Sequence, residues 1–181
     1  MVTSDRLAYR RRMKAKAVDQ VETDQARIDA LIKALYEVIS FDEGGEPDWV
    51  RMRALFSEHG RITRVTPEGT DYLDVAGFQE LAKDAFDLGT YTRFFEIEVL
   101  RDERRFGGLA HVLSAYETRQ SQGAREPFAR GVNSLQLVKE QGEWKVLSLF
   151  WDEERGDNPL TLQALFDQGE AKTKGEVRCQ S

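Results

Sequence analysis

Between Thr23 and Phe41 the apolar residues Ile28, Leu31, Ile32, Leu35 and Ile39 recur at helical spacing, with Thr23 or Asp24 as cap candidates and Gly44-Gly45 beyond the end. This predicts a long amphipathic helix. A second helix is predicted from Pro47, whose fixed φ suits a first helical position, carrying Trp49, Met52, Leu55 and Phe56 inward and stopping at Gly60. The stretch 61–66 alternates imperfectly through Ile62 and Val65 and ends at Pro67 and Gly69, which reads as a brief strand and a turn. A third helix follows, with Asp74 as cap, Phe78, Leu81, Ala82 and Ala85 on one face, and Gly89 as its stop.

From Thr92 the period changes from helical to alternating, in four runs: 92–101, 108–120, 128–140 and 143–152. The intervening turns carry Gly107-Gly108, Gly123 with Pro127, and Gln141-Gly142, so the runs read as an antiparallel meander. Asn158-Pro159 would open a short terminal helix through Phe166, ahead of a polar tail over 167–181. Three helices followed by four long strands describe one α+β domain over 21–166. Both faces of the last two strands are largely apolar, which calls for helices on one face and a second subunit on the other.

Composition adjusts this picture in a few places. The chain has 181 residues, 40% of them hydrophobic, with 10 Phe, 3 Trp and 5 Tyr, enough for a sizeable core. A net charge of -6 gives no reason to expect nucleic acid as a partner. The charge is uneven: Arg6, Arg10, Arg11, Arg12, Lys14 and Lys16 stand against Asp5 and Asp19 in residues 1–20, a basic arm expected to be helical or loose and dispensable for folding. That arm lacks the apolar stretch of a secretory signal, and the longest apolar run, 146–151, is far short of the roughly 18 residues that span a bilayer. With Cys179 alone, no internal disulfide forms, and a cytoplasmic location is expected.

The element order, together with the closing pair Gly131-Val132-Asn133-Ser134-Leu135-Gln136-Leu137-Val138 and Trp144-Lys145-Val146-Leu147-Ser148-Leu149-Phe150-Trp151-Asp152, resembles the NTF2-like superfamily and within it the SnoaL-like proteins. The resemblance covers residues 24–155. It implies a cone-shaped, strongly curved antiparallel sheet with three N-terminal helices packed on it, a pocket between them, and commonly a homodimer. Such families include isomerases, dehydratases, cyclases and epoxide hydrolases as well as transport adaptors, so the resemblance implies a pocket protein more firmly than any one reaction. Its enzymes place acid and base groups in an apolar cavity, where desolvation raises a carboxyl toward neutrality.

Inward-facing polar residues are therefore the candidates for chemistry. A two-residue turn at Gln141-Gly142 sets Leu137 opposite Val146, Leu135 opposite Ser148 and Asn133 opposite Phe150 on one face with Trp144, and Gln136, Ser134 and Trp151 on the other. Lys145 points away from Trp144, so Asn133 is read as inward and ligand-orienting. His111 and Tyr116 fall on opposite faces of one strand, so one of them enters the pocket, His111 as general base or Tyr116 as hydroxyl donor. Trp49, Trp144 and Tyr36 are added as ligand-binding candidates, and Leu35 and Phe78 as apolar wall. His59 is read as a helix-end cation, and Glu96, Glu98 and the run Asp152-Glu153-Glu154 as solvent-facing.

Two histidines without HxxxH or HxH spacing give no zinc site, and no phosphate-binding glycine loop or GxSxG is present, so no metal or other cofactor is expected. A homodimer is expected through Leu147, Leu149 and Trp151 with Val132 and Gln136. Two functions remain open: proton-transfer chemistry on, or binding of, a compact and mostly apolar small molecule, and an interaction module that uses the sheet exterior.

Overall fold

The computed structural model describes residues 3–87, 91–162 and 166. Helix α1 spans Thr3–Ile39, α2 Trp49–Leu55 and α3 Val75–Asp87. Strands β1 (Phe56–Thr66), β2 (Gly69–Leu73), β3 (Phe95–Phe106), β4 (Leu109–Arg119), β5 (Ala129–Glu140) and β6 (Glu143–Glu153) form one open sheet in the order β2-β1-β6-β5-β4-β3. The meander β3 to β6 is antiparallel as its alternation predicts, but β1 runs parallel to β6, so the sheet is mixed. A parallel pair needs a long crossover, and the whole of β2 to β5 supplies it.

The apolar stripe of α1 is buried as its spacing predicts, with Ile28 and Ile32 fully enclosed. The helix does not begin at Thr23 or Asp24; it runs through both, and the backbone of residues 3–20 is helical too. Thr23 donates back to the Asp19 carbonyl at 2.8 Å, and Asp24 accepts from Lys139 Nζ at 2.6 Å and Trp144 Nε1 at 3.3 Å. Tertiary partners thus occupy the side chain that a cap would have used.

Helix α2 begins at Trp49 rather than at Pro47, with Asp48 as its cap, the Asp48 Oδ1 accepting from Arg51 N at 2.9 Å. This helix ends at Leu55 rather than Gly60, because Phe56 turns extended to pair with Val146 of β6. His59 therefore sits exposed in β1 and not at a helix end, 3.2 Å from Glu58. The edge strand β2, almost wholly polar and exposed, offered no apolar alternation and escaped the sequence reading. Asp74 does cap α3, accepting from Gly77 N at 2.8 Å, while Gly89 lies outside the described residues.

At the β5–β6 turn Gln141 (φ 51°) and Gly142 (φ 90°) both occupy the left-handed region, the geometry of a tight two-residue hairpin. Leu137 pairs with Val146 as that turn requires. One step later Leu147 is bulged out, and the register becomes Gln136 with Ser148, Leu135 with Leu149 and Asn133 with Trp151. The expected pairs of Leu135 with Ser148 and Asn133 with Phe150 are thereby corrected, since a bulge swaps every later side chain to the other face. Leu149 and Trp151 turn inward, so the expected dimer face of Leu147, Leu149 and Trp151 does not exist as one surface; Leu113, Val132 and Phe150 lie on the outer face instead. Near the C-terminus Asn158 bridges to Arg155, and the expected helix through Phe166 and the tail with Cys179 fall mostly outside the described residues. Among the described residues no helix is long and apolar enough to cross a membrane.

Candidate functional site

Between α1, α3 and the inner face of the sheet lies a cavity of about 400 Å³. Helix α1 contributes Ile32, Leu35 and Ile39, α3 contributes Phe78, Leu81, Ala82 and Ala85, and the sheet contributes Leu135, Leu149 and Trp151. Phe78 meets Trp151 edge-on with ring centroids 5.6 Å apart, and Tyr91 stacks on Phe128 at 5.5 Å. The walls are thus apolar and rich in aromatic rings, while Tyr36, Glu96, Tyr116, Thr118 and Asn133 form a polar end. Arg64 and Glu153 complete the charged lining.

Alternation delivers the polar end from three strands: Glu96 lies opposite Thr118, Tyr116 opposite Gly131, and Asn133 opposite Trp151. Asn133 Nδ2 donates to the Tyr36 hydroxyl at 3.2 Å and to Glu96 Oε1 at 3.3 Å. Tyr36 is in turn 2.7 Å from Ser114 Oγ, which donates to Glu98 Oε1. Glu98 is held by Arg101 at 2.6 and 2.8 Å, and Arg101 reaches Asp29 at 2.7 Å. A continuous hydrogen-bonded chain therefore leads from the cavity to the surface.

Glu96 is half-buried and lines the cavity. Burial pushes its pKa from the ordinary carboxyl value to about 7, the Asn133 N–H opposing the rise and the negative charge of Glu153 adding to it. Tyr36 and Tyr116 are both pushed above the ordinary phenol value, first by burial and then by the nearby Glu96. Both stay neutral phenols. Gly131 makes room for Tyr116: a Cβ there would stand 2.5 Å from the phenol oxygen and 2.6 Å from the Asp152 carbonyl. Among the described residues the Tyr116 hydroxyl has no hydrogen-bond partner, which leaves its proton for a guest in the cavity.

The sequence candidates separate into three groups. Tyr36, Tyr116 and Asn133 line one cavity, with Leu35 and Phe78 in its wall. His111 is on the opposite face, exposed, its Nε2 3.1 Å from Ser134 Oγ; an odd separation from Tyr116 along β4 puts the two on different sides. Trp49 and Trp144 are buried but do not line the cavity: Trp49 packs edge-on against Phe78 at 6.3 Å, and Trp144 holds Asp24. Glu96 was expected in solvent because its neighbours Phe95 and Ile97 are apolar, yet it faces inward and those neighbours outward. The one available signal was that alternation fixes only which residues share a face, so an apolar set can equally cover the outer side. Glu153, also expected in solvent, lines the cavity while remaining exposed. Among the described residues no group of three or more His, Cys, Asp or Glu side chains is placed to hold a metal ion.

No protein-family model matches the sequence, and no curated protein matches it. Solved structures do match in fold. An NTF2-like protein with a cystatin-like fold from Novosphingobium aromaticivorans superposes with a TM-score of 0.61 at 15% identity, covering 80% of this chain and 90% of its own. LinA follows with a TM-score of 0.59 at 12% identity over 78% and 92% of the two chains. A candidate scytalone dehydratase, also from Novosphingobium aromaticivorans, gives 0.56 at 13% identity over 76% and 89%. At these identities the likeness is one of architecture: the chain has the NTF2-like, cystatin-like α+β fold.

Proposed function

We propose that this chain is a small-molecule enzyme of the SnoaL-like kind, catalysing proton transfer on a compact, mostly apolar carbonyl compound, with Glu96 as the acid–base group. The observation that carries the reading is a carboxyl brought to a pKa of about 7 at the polar end of an apolar cavity, where it is both a competent base and a competent acid at neutral pH. In the forward step the Glu96 carboxylate takes a proton from the carbon next to the carbonyl, and the C–H electron pair moves into the enolate. The Tyr116 hydroxyl donates to the enolate oxygen as charge develops there, and the dry walls strengthen that bond. Where the substrate is a β,γ-unsaturated ketone the intermediate is a dienolate, and return of the proton from Glu96 to its γ-carbon shifts the double bond into conjugation as the carbonyl re-forms. Where a β-hydroxyl is present, the same proton leaves with it as water and the product is the dehydrated enone. The likeness of fold to a candidate scytalone dehydratase is in keeping with that second outcome.

Deuterium wash-in tests this without knowledge of the natural substrate. A panel of cyclic and bicyclic ketones, 2-tetralone among them, is followed by proton NMR in D2O with the wild-type protein and with Glu96→Gln. The expected result is exchange at the α-carbon with at least one ketone, at least about a hundredfold above the Glu96→Gln protein, rising with pH through about 7 as Glu96 ionises. Ketones that bind in the cavity but exchange no faster with wild type than with Glu96→Gln would overturn the catalytic reading and leave a binding protein.

A further inference from the structure

The hydrogen-bonded chain behind the cavity has only one self-consistent direction. Glu98, paired through both oxygens with Arg101, is an acceptor only, so the single Ser114 hydroxyl proton goes to it. Ser114 Oγ must then accept from Tyr36, at 2.7 Å, and the single Tyr36 proton is spent there. The Tyr36 oxygen is left as an acceptor for the Asn133 amide, whose NH2 group consequently faces both Tyr36 and Glu96. Ser114 is fully buried, so water cannot substitute for any link at that point.

We infer that Ser114 and Glu98, neither of which lines the cavity, are positioning residues that fix the orientation of the Asn133 amide and so keep a hydrogen-bond donor, rather than a carbonyl, on Glu96 Oε1. Tyr36 is by the same logic barred from donating to a guest, which leaves Tyr116 as the phenol that does. Without the Ser114 acceptor the buried Tyr36 proton needs another partner, and the one within reach is Asn133 turned over to present Oδ1. That rotation sets a carbonyl oxygen against Glu96 Oε1, an arrangement that requires Glu96 to be protonated. The other titratable or charged groups around Glu96 are Tyr36 from α1, Arg64 from β1, Tyr116 from β4, Glu153 from β6 and Glu98 on its own strand; Ser114→Ala takes a hydrogen bond from Tyr36 and from Glu98, which stays paired with Arg101, and touches none of the others.

The inference concerns the same Glu96 as the proposed function but does not need turnover to be tested. The full chain is labelled with glutamate carrying 13C at the side-chain carboxyl, and the resonance missing from Glu96→Gln is titrated from pH 4 to 10. Wild type is expected to give a midpoint of about 7. Ser114→Ala is expected to raise it by at least one pH unit, about a tenfold change in proton affinity. The double variant Tyr36→Phe/Ser114→Ala, which removes the stray proton that forces Asn133 over, is expected to return the midpoint to about 7 even though it disturbs the packing more. An unchanged midpoint in Ser114→Ala, or a double variant shifted as far as or further than the single, overturns the inference. A wild-type midpoint near the ordinary carboxyl value would overturn the proposed function as well, whereas failure of ketone exchange with these midpoints intact would overturn only the catalytic reading.

Discussion

Replacing Glu96 by Gln is expected to stabilise the protein above about pH 4.5, and most at neutral to alkaline pH. Below the ordinary carboxyl pKa of 4.5 the group is protonated in the folded and unfolded chain alike and costs nothing. As pH rises past that value the unfolded chain releases its proton, while the folded chain holds its own until about 7. The unfolded state binds fewer protons throughout that window, so stability falls as pH rises, and the loss is complete above about 7. Carrying one carboxyl from 4.5 to about 7 amounts to up to about 3 kcal/mol. Gln preserves shape and can still accept from Asn133, but it has no proton to release. The stability of Glu96→Gln relative to wild type should therefore be flat below pH 4.5, climb between 4.5 and 7, and reach up to about 3 kcal/mol at pH 8, roughly 6–12 °C in Tm for a chain of this length. Urea unfolding followed by circular dichroism at half-unit steps from pH 4 to 8.5 reads this directly. Parallel curves for the two proteins, or a divergence completed by pH 5, would show that Glu96 is an ordinary solvated carboxylate and refute the reasoning.

Gly131→Ala should destabilise by about 1–3 kcal/mol in denaturant unfolding, since the new Cβ meets the Tyr116 phenol on one side and the Asp152 backbone carbonyl, 2.6 Å away, on the other; stability within 0.5 kcal/mol of wild type would mean that the close approach is not as described. Self-association remains a proposal, now through the outer-face residues Leu113, Val132 and Phe150, the last of which is 43% exposed. Sedimentation velocity at micromolar concentration is expected to give a dimer that Phe150→Lys weakens, and a wild-type monomer would remove the idea.

Much of this architecture can be read along the chain because its signals are local. The stripe from Ile28 to Ile39, the Asp74 cap, the meander from β3 to β6 and the tight turn at Gln141-Gly142 each depend on residues within a few positions of one another. So does the reading that Asn133 shares a face with Leu135 and Leu137, and that His111 and Tyr116 take opposite faces of one strand, because side-chain period within one unbroken strand survives folding; which of those two faces the cavity was left open. What the tertiary structure alone decided are the features that depend on a partner distant in sequence. Asp24 is claimed by Lys139 and Trp144 rather than capping a helix, and Phe56 is drawn out of α2 by a parallel pairing with Val146. Alternation in β3 told that Glu96 and Ile97 face opposite ways but not which way is in, and that choice rests on α1 packing across the sheet. At Leu147 one extra residue carries Leu149 and Trp151 into the cavity, and no residue type there announces it: with a side-chain period of two, a single-residue slip reverses every face beyond it, and its position is settled by the fit of β6 to β5 on one side and β1 on the other.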